Sequence, residues 1–135
     1  MWTDCLQVDS QRKVCSIFKG EIPDLSDIIL LSIEWRPDWV VMVFELCKLP
    51  KVIPEKWRVN GVKNICVSMD FSENIQYRFM NPNLLRNEHF SLSIGMDSTG
   101  KKSVIGKCAS GECVFVFCVD YINILDVWAR NNDLQ

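Results

Sequence analysis

The side chains best suited to chemistry in this sequence are seven cysteines and one histidine, His89. A thiol nucleophile needs an oriented base, and His89 has no acidic partner within its own strand-like segment. Cys108, Cys113 and Cys118 follow one another at intervals of five residues. That odd interval places neighbours on opposite faces of a continuous strand, which does not suit one shared metal ion. We therefore predict reduced thiols that serve as small hydrophobic residues, with no metal site and no cofactor.

Sequence motifs for catalysis are missing as well. The chain contains no G-x-S-x-G, no Walker loop, no G-x-G-x-x-G and no H-E-x-x-H. Its six glycines do not cluster into a loop that could cradle a phosphate. No set of acid, base and nucleophile converges in the sequence, so we predict a protein that is not an enzyme.

Basic residues surround aromatic ones in two places, which raises nucleic-acid binding as an alternative. Trp57 lies among the lysines and arginine of residues 48–63, and Arg78 lies between Tyr77 and Phe79. Proteins that bind single strands combine such basic grooves with stacking rings. Against this, Tyr77 and Phe79 alternate with polar residues as core positions of a strand do, and the net charge is −2.

The charges are distributed in blocks along the chain. Residues 1–47 hold eight acidic and four basic residues, residues 48–107 hold five and ten, and residues 108–135 hold four and one. Such blocks can simply interleave on a folded surface. Alternatively, the two terminal segments come together and form an acidic face, which would suit a basic partner.

Length and composition are typical of one globular domain, residues 1–135, with 48% hydrophobic and 24% charged residues. The apolar runs 39–44 and 114–119 are too short to span a bilayer, and the first residues lack the apolar core of a secretion signal. We therefore expect a cytoplasmic protein without a membrane partner.

Hydrophobic periodicity predicts one N-terminal helix followed by strands in hairpin order. Asp9 to Lys19 form the helix, and Gly20 ends it. In the first strand Ile29, Leu31, Ile33 and Trp35 are predicted to share the apolar face. This pattern predicts an α+β fold in which a short N-terminal helix packs on a mainly antiparallel β-sheet or flattened sandwich of seven to eight strands. The predicted strands are 28–35, 39–47, 62–71, 74–80, 89–96, 103–108 and 113–119, with 122–129 as strand or helix.

Between two of these strands lies the connector LPKVIPEKW, residues 49–57. Pro50 and Pro54 fix the backbone φ angle and disfavour helix, so we predict an extended strap across the domain. Trp57 is then expected to bury its ring and hold the end of the strap in place.

Several short motifs occur together in the first half of the chain. They are Trp2, a helix ending in Ile17-Phe18, the stretch Gly20 to Leu25, and the connector with Pro54 to Trp57 before Asn64. In this order they resemble the bacterial polymorphic-toxin immunity proteins known as the immunity protein 50 family. The resemblance covers residues 1–71. It departs from the family at Lys19 and at the turn Arg36-Pro37-Asp38, where the family tends to have a glycine.

The resemblance implies a cytoplasmic inhibitor that binds a cognate toxin domain and occludes its active site or substrate-binding surface. Contact-dependent inhibition systems use such pairs, and many of the toxins are basic nucleases such as tRNases. The expected protein is a monomer or weak dimer when free and does not bind nucleic acid directly. A single-strand binder and a β-container for a small ligand are the rival hypotheses. We predict the toxin-binding residues to be Glu34, Asp38, Trp39 and Glu45, and secondarily Asp70, Asp120 and Asp126.

Overall fold

The computed structural model describes residues 1–51, 53–61, 64–81, 83 and 89–130. A 3-10 helix at Trp2–Cys5 precedes helix α1, Val8–Phe18, and a second helix, α2, spans Glu55–Val59. None of the helices in these ranges is long and apolar enough to cross a membrane. The strands are β1 (Ile28–Arg36), β2 (Trp39–Leu46), β3 (Asn64–Ser72), β4 (Gln76–Met80), β5 (His89–Met96), β6 (Lys102–Cys108), β7 (Cys113–Val119) and β8 (Tyr121–Arg130).

All eight strands join one antiparallel sheet in the order β4-β7-β6-β5-β1-β2-β3-β8. Among the described residues, β1 and β5 pair at Ile28 with Phe90 and at Ile29 with His89. The sheet consists of a first half, β1-β2-β3-β8, and a second half, β4-β7-β6-β5, and the pairing of β1 with β5 is the junction between them.

Aromatic contacts show that the two halves pack face to face. Phe71 of β3 meets Phe117 of β7 edge-on at 5.2 Å between ring centroids. Trp35 of β1 meets Phe115 of β7 at 5.5 Å. Because these strands are far apart in the sheet order, the sheet must fold over at the junction and enclose the core. The predicted α+β class, with a short helix and eight antiparallel strands, is confirmed.

The N-terminal helix closes the β8 edge of the first half. Its buried residues are Ser10, Val14 and Phe18. The Ser10 hydroxyl accepts a 2.8 Å hydrogen bond from the Ile124 backbone N–H. Edge strands present unpaired backbone groups. This bond satisfies the Ile124 N–H, which would otherwise be buried without a hydrogen-bond partner. The helix ends at Lys19, which with Gly20 adopts the left-handed conformation.

A bulge changes the predicted face of β1. Its register with β2 shifts between Leu30 and Ser32. Ile28 and Leu30 are therefore buried before the bulge, whereas Ile33 and Trp35 pack on the core after it. One extra residue inverts the alternation of a strand, so the prediction was wrong for Ile29 and Leu31, which are only half-buried.

The connector also differs from the prediction. Pro54 is the N-cap of α2 instead of part of an extended strap, and the backbone N–H groups of Trp57 and Arg58 bond to its carbonyl. Proline disfavours the interior of a helix but is tolerated at the start, where no N–H is needed. Trp57 packs against the core and is half-buried, in keeping with its predicted role as an anchor.

The predicted strand 74–80 is the free edge of the second half. All five residues of β4 are exposed, including Tyr77 at 40% and Phe79 at 48%, so the prediction of two core positions was wrong. A register shift between these residues turns Phe79 outward opposite Val116, while Tyr77 stays opposite Phe117 on the core side. Residues 122–129, for which the sequence allowed strand or helix, belong to strand β8. Residues 62 and 63, the start of the predicted strand 62–71, lie outside the described residues.

Candidate interaction face

Cross-strand register places five of the predicted binding residues on one surface. Residues directly opposite each other in an antiparallel pair point to the same face. Val41 is opposite both Glu34 and Asp70, and Glu45 is two residues from Val43 along the same face of β2. Asp126 lies opposite Ser68, which is opposite Val43. We call this outward surface of β1, β2, β3 and β8 the acidic face; it comprises Glu34, Trp39, Val41, Val43, Glu45, Asp70, Asn123, Asp126 and Trp128. By the same register, Arg36 lies at its hairpin end and Arg130 at the opposite end of β8, so the acids outnumber the basic residues but do not stand alone.

The acidic face has the size of an interface core. Trp39 and Glu45 are six residues apart on β2, which corresponds to about 20 Å of strand. Four adjacent strands at about 4.8 Å spacing make it about 14 Å wide. Half-buried Val41 and Val43 lie between the acids, and Trp39 and Trp128 flank them. Apolar and aromatic groups ringed by charge are typical of the centre of a protein interface.

Asp70 occupies the middle of this face, on β3, between β2 and β8. Its carboxylate interacts with the side chain and backbone of Asn123, which lies opposite on β8. The Oδ1 atom is buried and has no hydrogen-bond partner within the described part of the chain. Burial raises the pKa of this carboxyl group above the ordinary aspartate value, although the contacts with Asn123 oppose the shift. Such an atom is costly to keep in a free protein and is satisfied when a donor arrives.

The hairpin end of the face carries Asp38, the remaining first-choice residue, beside Trp39. Asp38 is exposed in the turn between β1 and β2, next to Trp39. Arg36 lies 5.7 Å from the Trp39 ring and donates to the Glu34 carboxylate at 2.6 Å. Both partners of that ion pair are about half exposed, so it adds little stability and can be exchanged for a partner's group.

Asp120 does not belong to the acidic face. It lies between β7 and β8, where Asn74 donates to its carboxylate at 2.7 Å and Lys101 at 3.1 Å. These two hydrogen bonds lower the pKa of Asp120. Its backbone N–H also bonds to the Glu73 carbonyl at 3.0 Å. Asp120 therefore connects the β3–β4, β5–β6 and β7–β8 turns and has a structural role. Its carboxylate is already hydrogen-bonded within the chain.

The second half presents a different outward surface. By the same register argument it carries Ser91, Ser93, Ser103, Ile105, Lys107, Val116, Cys118 and Phe79, and we call it the serine face. Among the described strand residues of this half, no outward position is acidic. The two outer surfaces of the sandwich thus differ in charge although they share one core.

A third group of side chains was missed by the sequence reasoning. One ligating atom each from Asp27, Cys47 and His89 lies within 4.8 Å of the others. His89 Nδ1 is 2.5 Å from Asp27 Oδ1, and the Asp27 carboxylate also accepts from the Cys47 thiol. The Cys47 N–H bonds to the Asp27 carbonyl at 3.2 Å, which extends the β1–β2 ladder by one pair. The acidic partner that His89 lacks in its own segment comes from 62 residues away.

These three residues are poorly arranged for thiol catalysis. Burial, and then the charge of Asp27, raise the pKa of Cys47 to about 11, so its thiol stays protonated at neutral pH. Asp27 lies between the thiol and the imidazole, whereas a nucleophile must contact its base directly.

Cys108 lines the neighbouring groove with His89, and its pKa is lowered, chiefly by the Ser110 hydroxyl 3.0 Å away.

Comparison with known proteins adds no assignment. The chain matches no protein-family model, and searches of curated proteins and of solved structures found no match. A function must therefore be argued from the geometry of this chain and from the motif resemblance in residues 1–71.

Proposed function

We propose that this protein is an immunity protein that neutralises a cognate bacterial toxin domain, and that its acidic face binds a basic surface of that toxin. The observation that carries the proposal is Asp70 at the centre of the face, whose buried Oδ1 has no hydrogen-bond donor among the described residues. An arginine or lysine from a partner would supply that donor and neutralise the charge. The family resemblance supplies the class of partner.

The surrounding groups suit the same partner. Glu45 and Asp126 lie on either side of the strand that carries Asp70, and Glu34 lies two strands away. An acidic patch of this kind accelerates encounter with a basic protein and aligns it. Trp39 and Trp128 can supply the buried aromatic contacts on which affinity depends. A toxin that binds nucleic acid would offer its phosphate-binding cleft as the complementary surface, so binding would block substrate.

The decisive experiment is co-expression with the toxin domain encoded by the neighbouring reading frame. Wild-type protein should restore growth and should form a stoichiometric complex with the domain. A triple reversal, Glu34→Lys, Asp38→Lys and Glu45→Lys, should abolish both effects while the circular dichroism spectrum stays unchanged.

The matched control reverses three exposed acids away from the face: Asp9 on α1, Glu55 on α2 and Glu112 in the β6–β7 turn. It changes the net charge by the same amount and should still protect. Equal loss in both triples would show that only bulk charge matters, and full protection by the first triple would rule out the acidic face. Failure of wild-type protein to protect against any neighbouring toxin would rule out the proposed function.

Single-strand nucleic-acid binding is the second hypothesis, and one observation favours it. Phe79 is 48% exposed on the serine face, where it is free to stack on a base. Tyr77 is less suitable, because its hydroxyl donates to the Arg36 carbonyl and its ring packs edge-on against Trp35. Salt-sensitive binding of a labelled oligonucleotide that Phe79→Ala abolishes would favour this hypothesis over the first.

A further inference from the structure

We infer that Asp27, Cys47 and His89 form a binding site for one Zn²⁺ ion at the junction between the two halves of the sheet. Their ligating atoms already lie within 4.8 Å of one another, although the residues come from three separate parts of the chain. Tetrahedral zinc with ordinary bond lengths holds such atoms roughly 3.3–3.6 Å apart. Small side-chain rotations would therefore convert the present hydrogen-bonded cluster into a coordination sphere.

The strand register explains why these three side chains converge. Asp27 pairs with Cys47 through the extended β1–β2 ladder, and His89 lies opposite Ile29 on the other side of β1. Asp27 and Ile29 are two residues apart and so point to the same face. All three side chains thus project from the outer surface, away from the core-facing neighbours Ile28 and Phe90.

The donor set selects the metal. A thiolate, an imidazole and a carboxylate are the three ligand types of protein zinc sites, and hard cations such as Mg²⁺ and Ca²⁺ favour oxygen alone. When zinc binds, the Cys47 thiol proton leaves to solvent and the sulfur donates its electron pair to the metal, without any change of oxidation state. Three protein ligands leave the fourth position for water.

Access is provided by an open groove of about 490 Å³ that His89 and Asp27 line together with Ser26, Ser91 and Lys107. His89 is exposed, and Asp27 and Cys47 are half-buried, so an ion can reach the cluster from solvent. A bound ion would link the ends of β1 and β2 to the start of β5, next to the pairs Ile28–Phe90 and Ile29–His89. It would therefore add a cross-link at the junction between the two halves.

The test uses full-length, tag-free protein, treated with a chelator and kept reduced. Elemental analysis after equilibrium dialysis should find one zinc per chain, and the thermal midpoint should rise with zinc concentration. Co²⁺ in place of zinc should give the visible bands of a tetrahedral site and a thiolate charge-transfer band. Because His89 is the only histidine, its ring resonances should shift when zinc is added to the wild-type protein.

Ligand variants identify the site. Cys47→Ser and His89→Gln should each weaken zinc binding by roughly 100-fold or more, since loss of even an outer-shell partner costs roughly 10- to 100-fold. Cys15→Ser, on the exposed surface of α1, and Cys108→Ser, in the groove but outside the ligand cluster, should bind as wild type. Circular dichroism of the metal-free variants shows whether each one folds. If a variant does not fold, the shift of the His89 resonances in the wild-type protein tests the site instead.

Unchanged histidine resonances, zinc binding that survives both ligand variants, or binding that depends on Cys15 or Cys108 would overturn the inference. The result is separable from toxin neutralisation, because the charge reversals at Glu34 and Asp38 lie at the hairpin end of the face and leave the three ligands in place. Glu45 is kept unchanged in this comparison, since its charge acts on the Cys47 thiol. Zinc binding without protection would support the zinc site and contradict the proposed function. Protection without zinc binding would do the reverse.

Discussion

The two outer surfaces of this sandwich are built on the same core and yet differ in what they can bind. The acidic face carries Glu34, Glu45, Asp70 and Asp126, whereas the serine face is formed by short hydroxyl residues with Lys107 and Phe79. Packing requires only that the inward positions be apolar, so it places no demand on the outward ones. Packing therefore does not explain why acidic residues are concentrated on one of the two surfaces.

Charge reversal on the two faces should give the largest contrast. Glu45→Lys with Asp126→Lys should weaken binding of the toxin domain by about 3–5 kcal/mol, because like charges then meet across the interface. Ser91→Lys with Ser93→Lys on the serine face should change it by less than about 0.5 kcal/mol. Calorimetric titration at two salt concentrations measures both. Similar losses from the two pairs would contradict the assignment of the acidic face.

Damage to the shared core should affect both faces alike. A Cβ atom at Gly106 would lie 2.5 Å from a Phe115 ring carbon and 2.6 Å from one of Phe90. Gly106→Ala should therefore lower the free energy of unfolding by about 2–3 kcal/mol through overpacking. Denaturant titration gives the value. Gly95→Ala is the control, since a Cβ there meets no atom within 4 Å; equal effects at both positions would argue against this packing.

A side-chain hydroxyl makes one of the hydrogen bonds that join α1 to the β8 edge of the first half. Ser10→Ala removes the acceptor for the buried Ile124 N–H and should cost about 1–2 kcal/mol of stability. Ser16→Ala, on the exposed side of the same helix, should stay within about 0.5 kcal/mol. Hydrogen exchange should accelerate at β8 in the first variant while β6 remains protected. Uniform acceleration across the sheet would show that α1 does not act locally.

Asp70→Asn should have the smallest effect on stability, and with the opposite sign. The raised pKa of Asp70 means that the folded state disfavours the charged carboxylate. Wild-type protein therefore loses stability as pH rises from the unfolded-state value of about 3.9 through the folded-state value. The variant should be about 1 kcal/mol more stable at neutral pH and equal near pH 3, yet should bind the toxin more weakly. A variant that is less stable at neutral pH would contradict the unpaired Oδ1.

Much of the fold follows from local pattern. The apolar runs within 39–47 and 113–119 identify β2 and β7, and Val14 and Phe18 identify the buried side of α1. The period of two places Trp39 and Glu45 on one face of β2. Glu34 shares that face because the turn Arg36-Pro37-Asp38 fixes the register of β1 on β2 near that end.

The remaining features depend on which strand lies beside which. The shifts near Leu31 and Arg78 invert a face through one unpaired residue, and only the partner strand determines where that happens. His89 meets Asp27 because β5 pairs with β1, a contact across 62 residues that no local window contains. Pro54 disfavours the interior of a helix and so predicts an extended segment, but at an N-cap it is compatible with the helix that follows.

The chain order of the first half has a consequence for synthesis. β1, β2 and β3 follow one another along the chain, but their fourth strand, β8, is the last to be translated. Asn123, which contacts Asp70, and Asp126 and Trp128 all belong to that last strand. A nascent chain on the ribosome thus lacks one flank of the acidic face until β8 has been translated, and a product that terminates before β8 would expose β3 as a new edge of the sheet.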